Sequence, residues 1–298
     1  MREFAQIIVN GLAAGSVYSL VALGYTMVYG VLQFINFAHS DIFMLGAFTG
    51  IYLAAWLGWL QPPLLLFAVV TLGAMVACTA IALLVERIAY RPLRSAPRLN
   101  VLITAIGVSL FLQNAGQVIF GADPRVFPSI LATRALFEDG LVVNNIQVTV
   151  ILVSLLLMAG LHWVVHRTKI GTAMRAVSYD FEIASLMGIP TDRIIIFTFV
   201  IGSALAGSAS ILYGLSYPKV EPLLGVVIGL KAFVAAVFGG IGNIVGAAVG
   251  GIIIGLAEAL VVYYISSSYR DAISFAILIV ILLFKPAGLF GTLRREKV

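Results

Sequence analysis

IFMLGAFTGIYLAAWLGWLQPPLLLFAVVTLGAMVACTAIALLV, residues 42–85, contains no Asp, Glu, Lys or Arg. About 20 apolar residues are enough to cross the hydrocarbon core as a helix, and this stretch holds two such spans, read here at 41–60 and 64–86. Its apolar residues run continuously rather than alternating, so a membrane β-barrel is not favoured. Outward from it the pattern repeats. Charged residues are also absent from Leu99 to Ala122, from Gly140 to His166 and from Ile194 to Pro218.

Of the 298 residues, 61% are hydrophobic and 10% charged, against roughly 25% charged in an average soluble domain. The mean hydropathy is +1.09. A soluble fold of this length needs a charged skin, and this chain has too few charges to make one. Spans are read near 5–30, 41–60, 64–86, 101–120, 147–166, 193–217, 225–240, 243–264 and 271–290. The segment 225–240 is short and Gly-interrupted, as a half-helix would be. The expected fold is therefore an all-α polytopic helical bundle of about 8–9 transmembrane helices, some of them broken, forming one domain over 1–298.

Charge placement gives the orientation. One set of loops carries Arg87, Arg91, Arg94, Arg98, Arg167, Lys169, Arg175, Arg193, Lys285, Arg294, Arg295 and Lys297. The opposite set carries Arg2, Arg125, Arg134, Lys219 and Arg270. The richer side is cytoplasmic by the positive-inside rule. With nine crossings the C-terminus lies inside and the N-terminus outside. Because the basic residues fall at span ends, the net charge of +5 is no argument for nucleic acid. Met1-Arg2-Glu3-Phe4 leads into an apolar run without a small-residue cleavage site, so the first span reads as retained. Cys78, the single cysteine, excludes an intrachain disulfide.

Two loops are long. Residues 121–146, outside, contain Asp123, Pro124, Pro128, Glu138 and Asp139. Residues 167–192, inside, contain Gly171-Thr172-Ala173-Met174-Arg175-Ala176, then Asp180, Ala184 and Gly188-Ile189-Pro190. Met174, Val177, Phe181, Ala184 and Met187 share one helical face, and Gly188 with Pro190 ends the helix. Such a helix either lies on the membrane surface or docks into a groove of another protein. The Gly-broken segments 24–50 and 225–255 form a rough pair, the sequence sign of an inverted-repeat transporter.

Polar residues within apolar runs are the remaining candidates. Asn36, His39 and Asp41, flanked by Gly24, Gly30 and Gly46, mark either a broken helix beside a pathway or an ordinary cytoplasmic turn capped by Asn36. Lys231 and Glu258 lie inside spans, where ionisable groups are functional candidates. They could pair with each other, line the pathway or contact a second subunit. No metal site is expected: His39 has no partner four residues away, and His162 and His166 sit at a span end beside Arg167. No phosphate loop occurs, since Gly239-Gly240-Ile241-Gly242 lacks the lysine. No catalytic set is legible, so an enzyme is not expected.

Asn10-Gly11-Leu12-Ala13-Ala14-Gly15-Ser16-Val17-Tyr18, Ala22 to Gly30, and Ile35-Asn36-Phe37-Ala38-His39 together resemble the LivH-type permease of branched-chain amino acid importers. So does Phe238-Gly239-Gly240-Ile241-Gly242-Asn243. Residues 171–190 resemble the coupling loop of ABC-importer permeases. Ser40 departs from the usual Gly after the His. The resemblance implies a second, LivM-type permease, two ABC ATPase subunits that bind the ATP and Mg, and an extracytoplasmic amino-acid-binding protein, in a bacterial or archaeal inner membrane. It implies no cofactor in this chain. Arg175, Ala176, Asp180, Glu182, Ala184 and Gly188 would meet an ATPase. Tyr25 and Tyr29 join Asn36, His39, Asp41, Lys231 and Glu258 as candidates for the translocation pathway. Other readings remain open: an ABC permease for urea or short amides, a stand-alone ion-coupled carrier, or a passive channel.

Overall fold

Glycines decide how closely the helices of this chain approach. In a computed structural model, which describes residues 2–94, 96–135 and 143–291, eleven α-helices are present. They are α1 Arg2–Leu32, α2 Ala38–Trp56, α3 Pro63–Val85, α4 Arg98–Phe120, α5 Asn145–Arg167, α6 Lys169–Tyr179, α7 Phe181–Leu186, α8 Thr191–Ser216, α9 Leu224–Gly239, α10 Ile244–Tyr264 and α11 Arg270–Phe284. The Glu138, Asp139, Arg294, Arg295 and Lys297 named above lie outside the described residues.

α1 and α10 cross backbone to backbone. A Cβ at Gly15 would lie 2.8 Å from Ile252 Cα, and one at Gly11 2.8 Å from Leu256 Cα. Small residues allow this approach, which is how helices gain van der Waals contact in lipid. Ser19 donates to Ala248 O across the same crossing at 2.7 Å. α1 and α8 form the centre of the bundle. Their spans are 78% and 72% buried, against 22% for α4 and α5 and 11% for α11. The outer helices turn residues such as Phe111, Val118 and Leu283 away from the protein. An apolar surface of that extent faces lipid or another membrane subunit.

Seven helices are long and apolar enough to cross a membrane. The protein is thus an all-α, multi-pass membrane protein. Of the other four, α6 and α7 form the loop before α8, while α2 and α9 coincide with the Gly-broken segments of the sequence and both start inside the bundle. After α1 the chain reverses at Gln33, which holds a φ of 55°, in the left-handed region that non-Gly residues rarely visit. It then climbs back until His39 lies against Gly24. Gly24 is roughly 12 Å from the Leu32 end of α1 at 1.5 Å per residue. α9 begins against the same point, with Gly225 and Gly229 on Ser40. The N-termini of α2 and α9 therefore meet in the interior.

At the opposite end, β1 Arg125–Val126 pairs antiparallel with β2 Lys219–Val220. Phe127, which follows β1, is buried against Gly50 of α2 and Gly214 of α8. This closes the end of the bundle where the external loop was expected.

Candidate functional site

Three groups of polar residues stand out, one at each end of the bundle and one between. The middle group lies where α2 and α9 begin. Asn36, His39, Ser40 and Asp41 are all buried, His39 and Asn36 at 2% exposure and Asp41 at 0%. Asn36 does not cap α2. The residue before the helix is Phe37, which has no side-chain cap. Asn36 Oδ1 instead accepts from Tyr90 Oη at 2.5 Å. Tyr90 closes the π-helical turn Glu86–Tyr90 after α3, a geometry that recurs at functional positions. Asp41 Oδ2 accepts from Ser109 Oγ of α4 at 2.5 Å, in the first turn of α2, where the helix dipole favours an anion.

Tyr25 edges onto the His39 ring with centroids 5.0 Å apart, and onto Phe233 of α9 at 6.3 Å. Tyr29 is half-buried one turn further along α1. Thr26 Oγ1, Asn36 Nδ2, His39 Nε2 and Asp41 Oδ1 are buried without a hydrogen-bond partner. Unpaired buried polar atoms are rare in folded proteins, and most of those among the described residues gather at this junction.

The second group joins α1, α9, α10 and α11. Lys231 Nζ lies 2.8 Å from Glu258 Oε1 and 2.7 Å from Asp271 Oδ1. Glu258 also accepts from Ser274 Oγ at 2.7 Å, from Tyr18 Oη at 2.9 Å and from Arg270 Nε at 2.9 Å. The structure thus pairs Lys231 with Glu258, one of the three possibilities their positions allowed. It also adds Tyr18, Arg270, Asp271 and Ser274, which sequence reasoning did not single out. Arg270 was counted there only as a loop charge. The signal was available: Arg270-Asp271 opens a span whose neighbours each carry one ionisable residue.

The third group is the loop between α5 and α8. One amphipathic helix was expected, and two are present. Asp180 breaks the run at φ −155° and ψ 116°, and its carboxylate accepts Ile183 N–H at 2.9 Å to cap α7. The break turns the apolar face. Met174, Val177 and Ala184 are buried, while Phe181, Ile183, Leu186 and Met187 are exposed at 44, 56, 86 and 77%. Arg175 is exposed and donates to Val165 O and to Thr172 Oγ1. Ala176 is half-buried, Glu182 exposed, and Gly188 ends α7 at φ 82°. Past Pro190, Asp192 at the start of α8 meets Arg94 at 2.5 Å and Arg91 at 3.3 Å, and Arg94 also reaches the buried Glu86. His162 and His166 stack with centroids 4.1 Å apart and are exposed. Among the described residues no three His, Cys, Asp or Glu side chains converge as metal ligands do.

A family model for the permease component of the branched-chain amino acid transport system matches residues 7–282. The chain belongs to that family. This permease is 41% identical to the high-affinity branched-chain amino acid transport system permease protein BraD of Pseudomonas aeruginosa, over 99% of this chain and 98% of the relative. It is 42% identical to the corresponding LivH protein of Escherichia coli K12 over the same shares. A probable LivH of Methanocaldococcus jannaschii is 30% identical over 91% of this chain and 88% of the relative. Among solved structures, PsaBC from Streptococcus pneumoniae in complex with Fab aligns with a TM-score of 0.50 and 15% identity, covering 94% of this permease and 92% of that chain. That likeness is one of fold.

Proposed function

We propose that this permease is one membrane-spanning half of an ATP-driven importer for branched-chain amino acids. Its partners would be a second permease subunit, two ATPases that hold the ATP and Mg, and an extracytoplasmic binding protein. The observation that carries this is the exposed apolar surface of α7. An apolar patch on a helix outside the spans fits a partner's groove. Apolar side chains at the ends of the rigid, capped α6 and α7 are suited to receive a push.

The route inward is continuous. α7 leads through Pro190 into α8, whose Asp192 holds Arg91 and Arg94 at the α3–α4 turn. From there Tyr90 reaches Asn36, beside the meeting point of α2 and α9. ATP binding would draw the ATPases together and shift the populations of the two openings. The α2–α9 junction, with Tyr25, Tyr29, Asn36, His39 and Asp41, would be the constriction that opens and closes. Its unpaired polar atoms give it alternative partners at low cost. Arg175 and Asp180 would serve this motion by bracing α6 and capping α7, and the exposed Arg175 would also be open to the ATPase.

The test is uptake of labelled leucine by a strain whose own branched-chain importers are deleted, carrying this permease with its neighbouring transport genes. Uptake should depend on the permease. Leu186→Asp should lower it by on the order of tenfold, because placing a carboxylate in an apolar contact costs more than 1 kcal/mol. The ATPases should also be lost on co-purification. Uptake of urea or acetamide instead of leucine would move the substrate elsewhere. Full coupling in Leu186→Asp would remove α7 from the ATPase contact.

A further inference from the structure

A cavity of about 780 Å³ opens between α1, α5, α8 and α10, at the end of the bundle that carries the β1–β2 pair. Its walls are mostly apolar or amide, with Ile7, Ala14, Val262, Asn10 and Gln147 among them. Only two ionisable acid–base groups besides tyrosines line it, Glu258 and Arg270. They are not equivalent.

Glu258 is used up. Its side chain is 2% exposed, Oε1 faces Lys231 and Ser274, and Oε2 faces Tyr18 and Arg270. A carboxylate offers about four acceptor positions, so no acceptor remains for a newcomer. Arg270 is not used up. Its Nε goes to Glu258, and Nη2 lies 3.2 Å from Tyr18 Oη and 3.2 Å from Tyr217 Oη. Both N–H bonds of Nη1 are without an acceptor among the described residues. The Tyr217 ring lies under the guanidinium, 5.3 Å from centroid to Cζ, and the arginine side chain remains 32% exposed. Behind Glu258, buried Lys231 is paired in turn with Asp271, so the cluster is neutral overall and Arg270 is its cation on the cavity side. The floor of the cavity is thus a fixed cation with spare donors, held in place from behind, beneath apolar walls.

We infer that this cavity binds a small carboxylate with an apolar body, its carboxylate on Arg270 Nη1. A guanidinium fixed by stacking and by neighbouring hydrogen bonds is well arranged for such an acceptor. The inference rests on the importer reading, in which the ligand is the amino acid on its way in, and it assigns Arg270 as a specificity-determining contact. An amine or amide of the same shape has no negative charge for Arg270 to meet.

The test uses the assembled transporter in lipid nanodiscs and requires no turnover. The single cysteine of this chain, Cys78, is fully buried, so Ala259→Cys gives the permease one reactive thiol, on the cavity wall beside Glu258, and labelling is read on the separated permease band. Its modification rates by an anionic sulfonatoethyl and a cationic trimethylammonioethyl methanethiosulfonate are compared after normalisation to a free thiol. The anionic reagent should be favoured by on the order of tenfold. Millimolar leucine should slow that reaction, and leucinamide should not. Arg270→Gln should abolish the preference, and Arg270→Lys should keep it while weakening protection by leucine. No anionic preference, an unchanged preference in Arg270→Gln, or equal protection by leucinamide would each overturn the assignment. If Arg270→Gln does not assemble, the first two measurements decide it without that variant. Loss of leucine uptake in cells alongside a retained anionic preference would instead count against the importer reading and leave the anion site standing.

Discussion

At the residue scale, the molecule depends on charges that have nowhere else to go. Glu258, its side chain only 2% exposed, accepts from four neighbours, and removing one partner of a buried ion pair leaves the other uncompensated. Glu258→Ala is therefore expected to destabilise the permease by about 3–5 kcal/mol, read as a lowered midpoint in detergent-titrated unfolding. Lys231→Met should cost less, because Glu258 keeps Arg270 and the exposed Asp271 can be hydrated. A larger loss in Lys231→Met than in Glu258→Ala would mean that Lys231, not Glu258, is the hub. Gly24 gives a second case. A Cβ there would overlap the imidazole of His39, and the Gly24 backbone also faces Gly202. Gly24→Ala should cost about 1–3 kcal/mol by overpacking. Gly24→Ala combined with His39→Ala should recover most of that, since the clash is with a side chain. The ionisable residues inside spans were legible because a charge in an apolar run is conspicuous. Arg270 was less so: at a span's first residue an arginine reads as an ordinary loop charge, and only the ionisable residues of the neighbouring spans hint that its side chain turns inward.

At the element scale, helix length and helix breaks carry the information. α2 and α9 were legible as irregular from their glycines, and α9 as short. That both begin at one interior point was not, because it depends on which helices cross at Gly24, Gly202 and Gly225, residues far apart in sequence. The α6–α7 pair shows the reverse failure. Helical spacing places Met174 and Met187 on one face, but it is blind to an aspartate that caps a new helix, and the break separates a buried face from an exposed one. Asp180→Ala should cost about 1 kcal/mol at the start of α7, while Asp180→Asn, an equally good cap, should cost little. Hydrogen exchange of the 183–187 amides measures this directly. Faster exchange in Asp180→Ala but not in Asp180→Asn is the expected result, with leucine uptake falling in the same order. Equal uptake in both, with exchange differing, would show that a frayed α7 still couples.

At the scale of the whole molecule, sidedness ties the parts together. The arginines of the α3–α4 turn, the α6–α7 pair and the start of α8 lie at one end, joined by Asp192. The β1–β2 pair, Phe127 and the Arg270 cavity lie at the other. The basic excess belongs to the α6–α7 end, which by the positive-inside rule would face the cytoplasm. The proposed readings depend on that assignment, since ATPases would reach α7 only from inside and a binding protein would load the cavity only from outside. The buried Cys78 again makes single-cysteine labelling clean. Thr133→Cys and Ser185→Cys sit on exposed positions at opposite ends. In intact cells a membrane-impermeant maleimide should label Thr133→Cys, and label Ser185→Cys only after permeabilisation. The opposite pattern would put α7 on the outside, and with it both the docking surface and the direction of transport would have to be reassigned.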